Sequence, residues 1–359
     1  MNFLNRTSSI LITLWGVATV VFFLFSVLPG DPAQMMLGQN ENSEELILIQ
    51  QKFGFDQPIL KQYTSYLNDL SPISIHPQVH DFNGLSTMHY SYISMLNVGE
   101  RTLVLKWPYL RESYHKSGVQ VSQVIQDTLP NTSILAMAAL LIAICFGLLF
   151  GVLSAIYVHS PMDRILQLVS TMGMSLPSFF SAILVAWIFG FLLHEYTSFD
   201  MIGSLYVLDD MGESYHIAWK NLILPAFVLG IRPLAVVTQL MRNALLDEWN
   251  RAYVKTARSK GLSMPVIIWK HMLKNALNPV ITALSGWFAS MLAGAVFVEY
   301  IFGWNGIGKE IVNALNVLDI PVLMGSVLTV SFLFIVINQV VDLLYAYLDP
   351  KVQLNKIKL

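Results

Sequence analysis

Apolar residues gather into six long runs, roughly 10–28, 132–158, 165–193, 221–241, 280–302 and 322–348. Each is near the ~20 residues a helix needs to cross a bilayer. Lipid offers the backbone no hydrogen-bond partner, so each run is expected to be helical. Local punctuation fits some of the ends. Pro130 stands just before the second run, Asn278-Pro279 opens the fifth and Asp349-Pro350 closes the sixth.

The polar-rich segment 29–131 is too long for a simple connection. Within it, Ser43 to Phe53, with Ser43 as a cap, and Leu60 to Leu70 carry helix-like spacing. The stretch of about 71–110 is rich in His, Ser, Tyr and Pro and shows no clear period. The pattern predicts three parts: residues 1–28 with the first span, a subdomain over 29–131, and a core over 132–359 holding five more spans.

Composition agrees with this reading. Of 359 residues, 55% are hydrophobic and 12% charged, about half the ~25% charge of a soluble domain. The mean hydropathy of +0.57 excludes an ordinary water-soluble fold. A net charge of −2 gives no support to a nucleic-acid partner. The single cysteine, Cys145, lies in an apolar run, which excludes a disulfide framework and a cysteine-based metal site. The first run exceeds the ~7–15 residues of a signal h-region, and no small-x-small site follows it, so an uncleaved span is expected.

Lys and Arg in the short connections are asymmetric. Arg6, Arg164, seven residues between 242 and 274, Lys351, Lys356 and Lys358 fall on one side, and Lys220 and Lys309 on the other. The positive-inside rule then predicts cytoplasmic termini and an external 29–131 segment in a multi-pass membrane protein.

Three near-matches to catalytic motifs fail. Gly303 to Lys309 has P-loop spacing, but Glu310 replaces the Ser or Thr that would hold Mg²⁺, and a span rather than a strand precedes it. His194-Glu195 begins a zincin pattern, yet Ser198 replaces the second histidine. His76, His80 and His89 have no acidic or cysteine partner at fixed spacing, so no metal site is expected. Gly147/Gly151 and Gly286/Ser290/Gly294 form small-residue stripes of the kind that let membrane helices approach closely. Spacing alone leaves open whether those helices belong to this chain or to a partner.

The connection 242–279 carries the most information. Leu246, Trp249, Tyr253 and Ala257 recur near helical spacing, Gly261 breaks the pattern, and Ser263 can cap a second helix with Pro265 in its first turn, continuing to Leu277. Two readings stay open on physics alone. One is a helix–glycine–helix elbow that receives force from a soluble motor. The other is an interfacial amphipathic helix on anionic lipid.

Arg251 to Leu262, reading RAYVKTARSKGL, resembles the "EAA" coupling loop of ABC importer permeases, closest to the first-subunit type of the dipeptide/oligopeptide/nickel family. Leu28 to Pro32, Leu176 to Phe179, Glu299 to Gly308, Val341 to Tyr345 and Leu348 to Lys351 match the same pattern. Two features depart from it: Lys255 stands where the wider motif has Glu, and about 71–110 looks like an insertion. The resemblance implies an all-α type I importer permease in the lipid bilayer, without catalytic residues or cofactors of its own. It also implies a second homologous permease, two ABC ATPase subunits that bind ATP and Mg, and an extracytoplasmic solute-binding protein. The coupling residues would be Tyr253, Thr256, Ala257, Arg258, Lys260 and Gly261. Di- or oligopeptides are the expected solute, with nickel or another small solute as the alternative.

Polar residues within the spans suggest a path. Arg232, mid-way along the fourth run beside Pro233, is expected either to attract a peptide carboxylate or to pair with the second permease. Pro177 and Glu299 complete the candidate path, Glu299 also being placed to cap the turn at Gly306–Gly308 or to touch the binding protein. Asn338 and Asp342, four apart on one face, suit a helix–helix hydrogen bond, with a gate as the alternative. An ATPase-independent carrier would be expected to show inverted repeats with broken helices in both halves, and no such halves are evident. A receptor or scaffold would leave the 242–279 elbow without a purpose.

Overall fold

The computed structural model describes residues 3–26, 32–37, 43–77, 91–99, 101–116, 118–209 and 211–348. Leu28 to Asp31, His80, His89, residues 349–359 and the Asp342 side chain lie outside the described residues. In chain order, helices α1 (Phe3–Ser26), α2 (Pro32–Leu37), α3 (Ser43–Phe53) and α4 (Ile59–Leu70) precede strands β1 (Ile73–Pro77), β2 (Tyr92–Val98) and β3 (Arg101–Lys106). Helices α5 (Val121–Ile156), α6 (Pro161–Ser175), α7 (Ser178–Trp187) and α8 (His194–Thr197) follow, then strands β4 (Tyr206–Leu208) and β5 (Tyr215–Ile217). The chain continues through α9 (Lys220–Trp249), α10 (Ala252–Ser259), α11 (Met264–Ile267), α12 (Leu273–Gly294), α13 (Val296–Phe302), α14 (Ile307–Asn316) and α15 (Ile320–Leu348). Two compact units emerge, Met1–Leu129 with Glu310–Phe332, and Pro130–Lys309 with Leu333–Leu359.

In the first unit, α3 starts at the expected Ser43, with Glu44 and Glu45 in its first turn where the helix dipole favours negative charge. The aperiodic stretch after residue 71 instead contains an antiparallel sheet in the order β1-β3-β2. Ile73 faces Leu105 and Ile75 faces Leu103 across it. The β-branched run suits a pleated surface, but a β-bulge between Ser94 and Leu96 obscures the period-2 signal. Helix α1 packs its Ala18, Val21 and Phe22 against Tyr66 of α4 and Met324 and Leu328 of α15.

Among the described residues, four helices are long and apolar enough to cross a membrane, with up to six spans if each of two bent pairs counts as one. The third predicted run is such a pair. Helices α6 and α7, the latter extended by a π turn over Ile188–Leu192, meet at 112° rather than forming one rod. Pro177 disfavours a helical conformation at the residue before it, and Leu176 is extended with ψ 134°. At 15 residues, α6 is about 22 Å long, shorter than the ~30 Å hydrocarbon core.

Other boundaries also move. Pro130 lies inside α5 and Pro279 inside α12, so neither opens its helix. Helix α9 has 30 residues, about 45 Å, and runs on to Trp249. In the second unit, a Cβ on Gly147 would come within 2.7 Å of Val237 Cγ1, and one on Gly151 within 2.6 Å of Met241 Cβ. That stripe therefore seats α5 on α9 of the same chain. A Cβ on Gly286 would meet nothing within 4 Å.

Candidate coupling elbow and path residues

The elbow is shorter than its sequence suggests. Helix α9 ends at Trp249, Asn250 and Arg251 redirect the chain, and α10 is a separate helix of 8 residues. The expected continuous helix through Leu246, Trp249, Tyr253 and Ala257 is thus broken in two. Its capping follows the Schellman pattern. Gly261 takes φ 77°, its N–H donates to the Arg258 carbonyl at 2.9 Å, and the Leu262 N–H donates to that of Ala257 at 3.3 Å. Ser263 holds the N-cap position of α11, with Pro265 in the first turn, but its side chain makes no capping hydrogen bond.

Helix α10 has two faces. Val254 is 0% and Ala257 7% exposed, and both belong to a core with Met241 and Leu245 of α9 and Met272 and Ala276 beyond the elbow. Ala257, one of the expected coupling residues, thus packs against this chain's own helices. Lys255, Thr256, Arg258, Ser259, Lys260 and Gly261 are exposed.

Side chains strap the elbow down. The Tyr253 hydroxyl donates to Glu248 Oε2 and accepts from Asn275 Nδ2 at 3.3 Å. Burial, and then the Glu248 carboxylate that accepts its proton, raises the pKa of this phenol. The Arg258 guanidinium lies 4.7 Å from the Trp249 ring centroid, a cation–π contact.

A buried network that the sequence reading missed sits close behind. Asp163, 3% exposed, accepts from Arg242 Nε at 2.8 Å and from a terminal Arg242 nitrogen at 2.9 Å. It also accepts from Ser154 Oγ and from the His159 N–H. Three helices, α5, α6 and α9, converge on this one carboxylate. The only local signal was Ser160-Pro161-x-Asp163, a helix start with Ser160 as its cap; nothing pointed to Arg242, 79 residues away.

The candidate path residues sit on three different helices, α9, the start of α7 and α13. Arg232 is exposed on α9, and no hydrogen bond or ion pair engages it among the described residues. Pro177 is exposed at the N-cap of α7. Glu299 is fully buried, and its Oε2 accepts from the Gly308 N–H at 2.7 Å and the Lys309 N–H at 3.3 Å. It therefore caps the first turn of α14. Lys309 Nζ, the residue at the P-loop lysine position, donates to the Gly303 carbonyl and to Asn305 Oδ1 of its own loop. His76 is buried and shares a hydrogen bond with Ser74. No cluster of metal-ligating side chains occurs among the described residues.

Comparison with known proteins places this architecture. The family described as binding-protein-dependent transport system inner membrane component matches residues 147–354, and its N-terminal counterpart matches residues 1–74. The chain is 33% identical to a di/tripeptide transport system permease protein of Pseudomonas aeruginosa, over 98% of this chain and 99% of that one. It is 30% identical to a dipeptide transport system permease protein of Alkalihalophilus pseudofirmus, over 98% of each. A glutathione transport system permease protein of Salmonella typhimurium is 29% identical, again over 98% of each. The chain belongs to the binding-protein-dependent transport system inner membrane components, as a type I ABC importer permease.

Proposed function

We propose that this permease conducts di- or oligopeptides and that its elbow is the seat of a cytoplasmic ATPase. A second homologous permease completes the path, two ATPase subunits bind ATP and Mg, and an extracytoplasmic binding protein delivers the solute. Both termini are then cytoplasmic. The observation that carries this reading is the two-faced helix α10. Its exposed edge of Lys255, Thr256 and Lys260 is free to meet a partner, while Val254 and Ala257 are fixed in the core with α9 and the helices after the elbow. Force applied to such an edge moves those helices with it. The ATPases and the loaded binding protein would each bias one equilibrium between outward and inward access.

Two observations support a peptide solute. Relatives that match over nearly the whole chain bear the names of dipeptide and glutathione permeases. Arg232 also presents a guanidinium mid-way along a span, where a charge is costly unless it faces water or a partner. A guanidinium there can take a peptide carboxylate through two parallel hydrogen bonds, with Pro177 beside the same path.

The test is uptake of a labelled dipeptide combined with recovery of the ATPase through a tag on this chain. Lys255→Glu with Lys260→Glu is expected to strip the ATPase and lower uptake at least about tenfold, a change of 1.4 kcal/mol. Full retention of both would remove the docking role. Saturable uptake of nickel with none of the labelled dipeptide would assign the alternative solute. Arg232→Lys with unchanged uptake and solute preference would remove the carboxylate contact.

A further inference from the structure

Within the first unit, a cavity of about 350 Å³ opens among Phe22, Phe53, Phe55, Tyr66, Arg111 and Tyr114, with Ile320 and Met324 also on its wall. That is about a dozen times the ~30 Å³ share of one water in the liquid. Two features mark it as more than a packing defect. The first is Tyr66, which is 5% exposed and whose hydroxyl finds no hydrogen-bond partner among the described residues. Buried polar groups are nearly always satisfied, so one left over asks for a missing ligand. The second is backbone strain. Among the described residues only four other than glycine have positive φ, and two of them, Arg111 at 69° and Leu318 at 52°, line this cavity. Such strain persists where the surroundings over-determine it, and it gathers at ligand sites.

The walls are held in place without an occupant. The Tyr66 ring stacks on Phe22 at 5.5 Å, and Tyr114 meets Phe53 edge-on at 5.0 Å. The loop carrying Tyr114 is tied to the start of α15, since Ser113 Oγ and the Tyr114 N–H both donate to Asp319. Arg111 Nε donates to Asp69 Oδ2 at 2.9 Å, which fixes the guanidinium on the cavity wall. Burial raises the pKa of the Tyr66 phenol, which therefore remains a donor at neutral pH.

Position selects the occupant. Phe22, Phe25 and Ser26 are the last turns of the span Ser8–Ser26, and Ile320, Pro321 and Met324 are the first turns of the span Ile320–Val341. The cavity thus lies at the level where two membrane helices end, the boundary of hydrocarbon and headgroup. The geometry points to a phospholipid bound here, its acyl chain among the phenylalanines and an ester or phosphate oxygen accepting the Tyr66 hydroxyl proton beside Arg111.

The full-length chain, purified with the subunits it retains, is placed in nanodiscs of phosphatidylethanolamine and phosphatidylglycerol containing an acyl-diazirine phosphatidylethanolamine. After irradiation, the label is mapped by mass spectrometry. It is expected on Phe53, Phe55 or Tyr114, and Ile59→Trp, at an exposed rim position of the cavity, is expected to abolish it. Tyr66→Phe keeps the ring and removes one hydrogen bond of ~1 kcal/mol, so labelling should fall about fivefold. Label confined to outward residues of α1 such as Val20 and Leu24, unchanged in both variants, overturns the proposal. So does an unlabelled cavity, cavity label displaced by excess dipeptide, or full labelling in Tyr66→Phe.

Discussion

The Arg242 guanidinium clasps the Asp163 carboxylate through two hydrogen bonds, 2.8 and 2.9 Å long. The pair joins the last third of α9, about two turns before the elbow, to the first turn of α6. Ser154 of α5 shares the same carboxylate. The contact ties α5, α6 and α9 together at one carboxylate, in addition to their apolar packing.

Removing one partner of a largely buried ion pair strands the other. Asp163→Asn and Arg242→Ala are each expected to destabilise the solubilised chain by about 3 kcal/mol, read as a lower Tm. The double variant should lose clearly less than the sum of the two, because the stranded charge is gone. Additive losses would show that the pair acts as two separate contacts.

Gly261 acts through its backbone. It adopts φ 77° with nothing within 4 Å of a Cβ placed on it. A β-branched Gly261→Val is therefore expected to strain the elbow by ~1–2 kcal/mol and reduce uptake, whereas Gly261→Asn, whose side chain tolerates this region, should keep most of it. Equal loss in both variants would mean that a partner needs the empty space.

Gly308 is a steric requirement. A Cβ there would lie 2.5 Å from Val296 Cα and 2.8 Å from Glu299 Oε2. Gly308→Ala must separate α13 from α14 and is expected to cost about 1–3 kcal/mol, detectable as a lower Tm or increased proteolysis near residue 305. Unchanged stability would show that this turn is loosely packed.

Lys106 makes the first unit pH-sensitive. Its burial lowers the ammonium pKa from 10.5 to about 8, a shift that the Asp69 carboxylate opposes. Between those two values the unfolded chain binds more protons than the folded one, so stability rises as pH climbs from 8 to 10.5. Allowing for solvent screening, the gain is about 1–2 kcal/mol. Thermal melts of Lys106→Met should lack this rise, and an identical slope in the variant would assign it to another group.

Elements with strong periodicity were legible from the residues alone. Ser43 to Phe53 matches α3 end for end, and the apolar runs mark the membrane helices. Other elements were legible only in part. Pro130 and Pro279 read as helix starts, because a proline's exclusion from helices is a statement about one turn. In α5 and α12 the neighbouring turns and helices carry that loss. Gly261 was readable as a break because glycine favours positive φ, but the end of α9 at Trp249 was not, since Trp249 and Tyr253 keep helical spacing across the break.

The sequence by itself determined that this is a membrane protein rich in apolar helices and that a cationic segment between them breaks at Gly261. Those properties follow from local hydropathy, charge and backbone preference. Tertiary structure alone decided that Ala257 faces inward, that Glu299 caps α14, that Asp163 meets Arg242 and that Tyr66 opens on a cavity. Each of these depends on residues from different helices meeting in space, and a one-dimensional pattern does not record which faces meet.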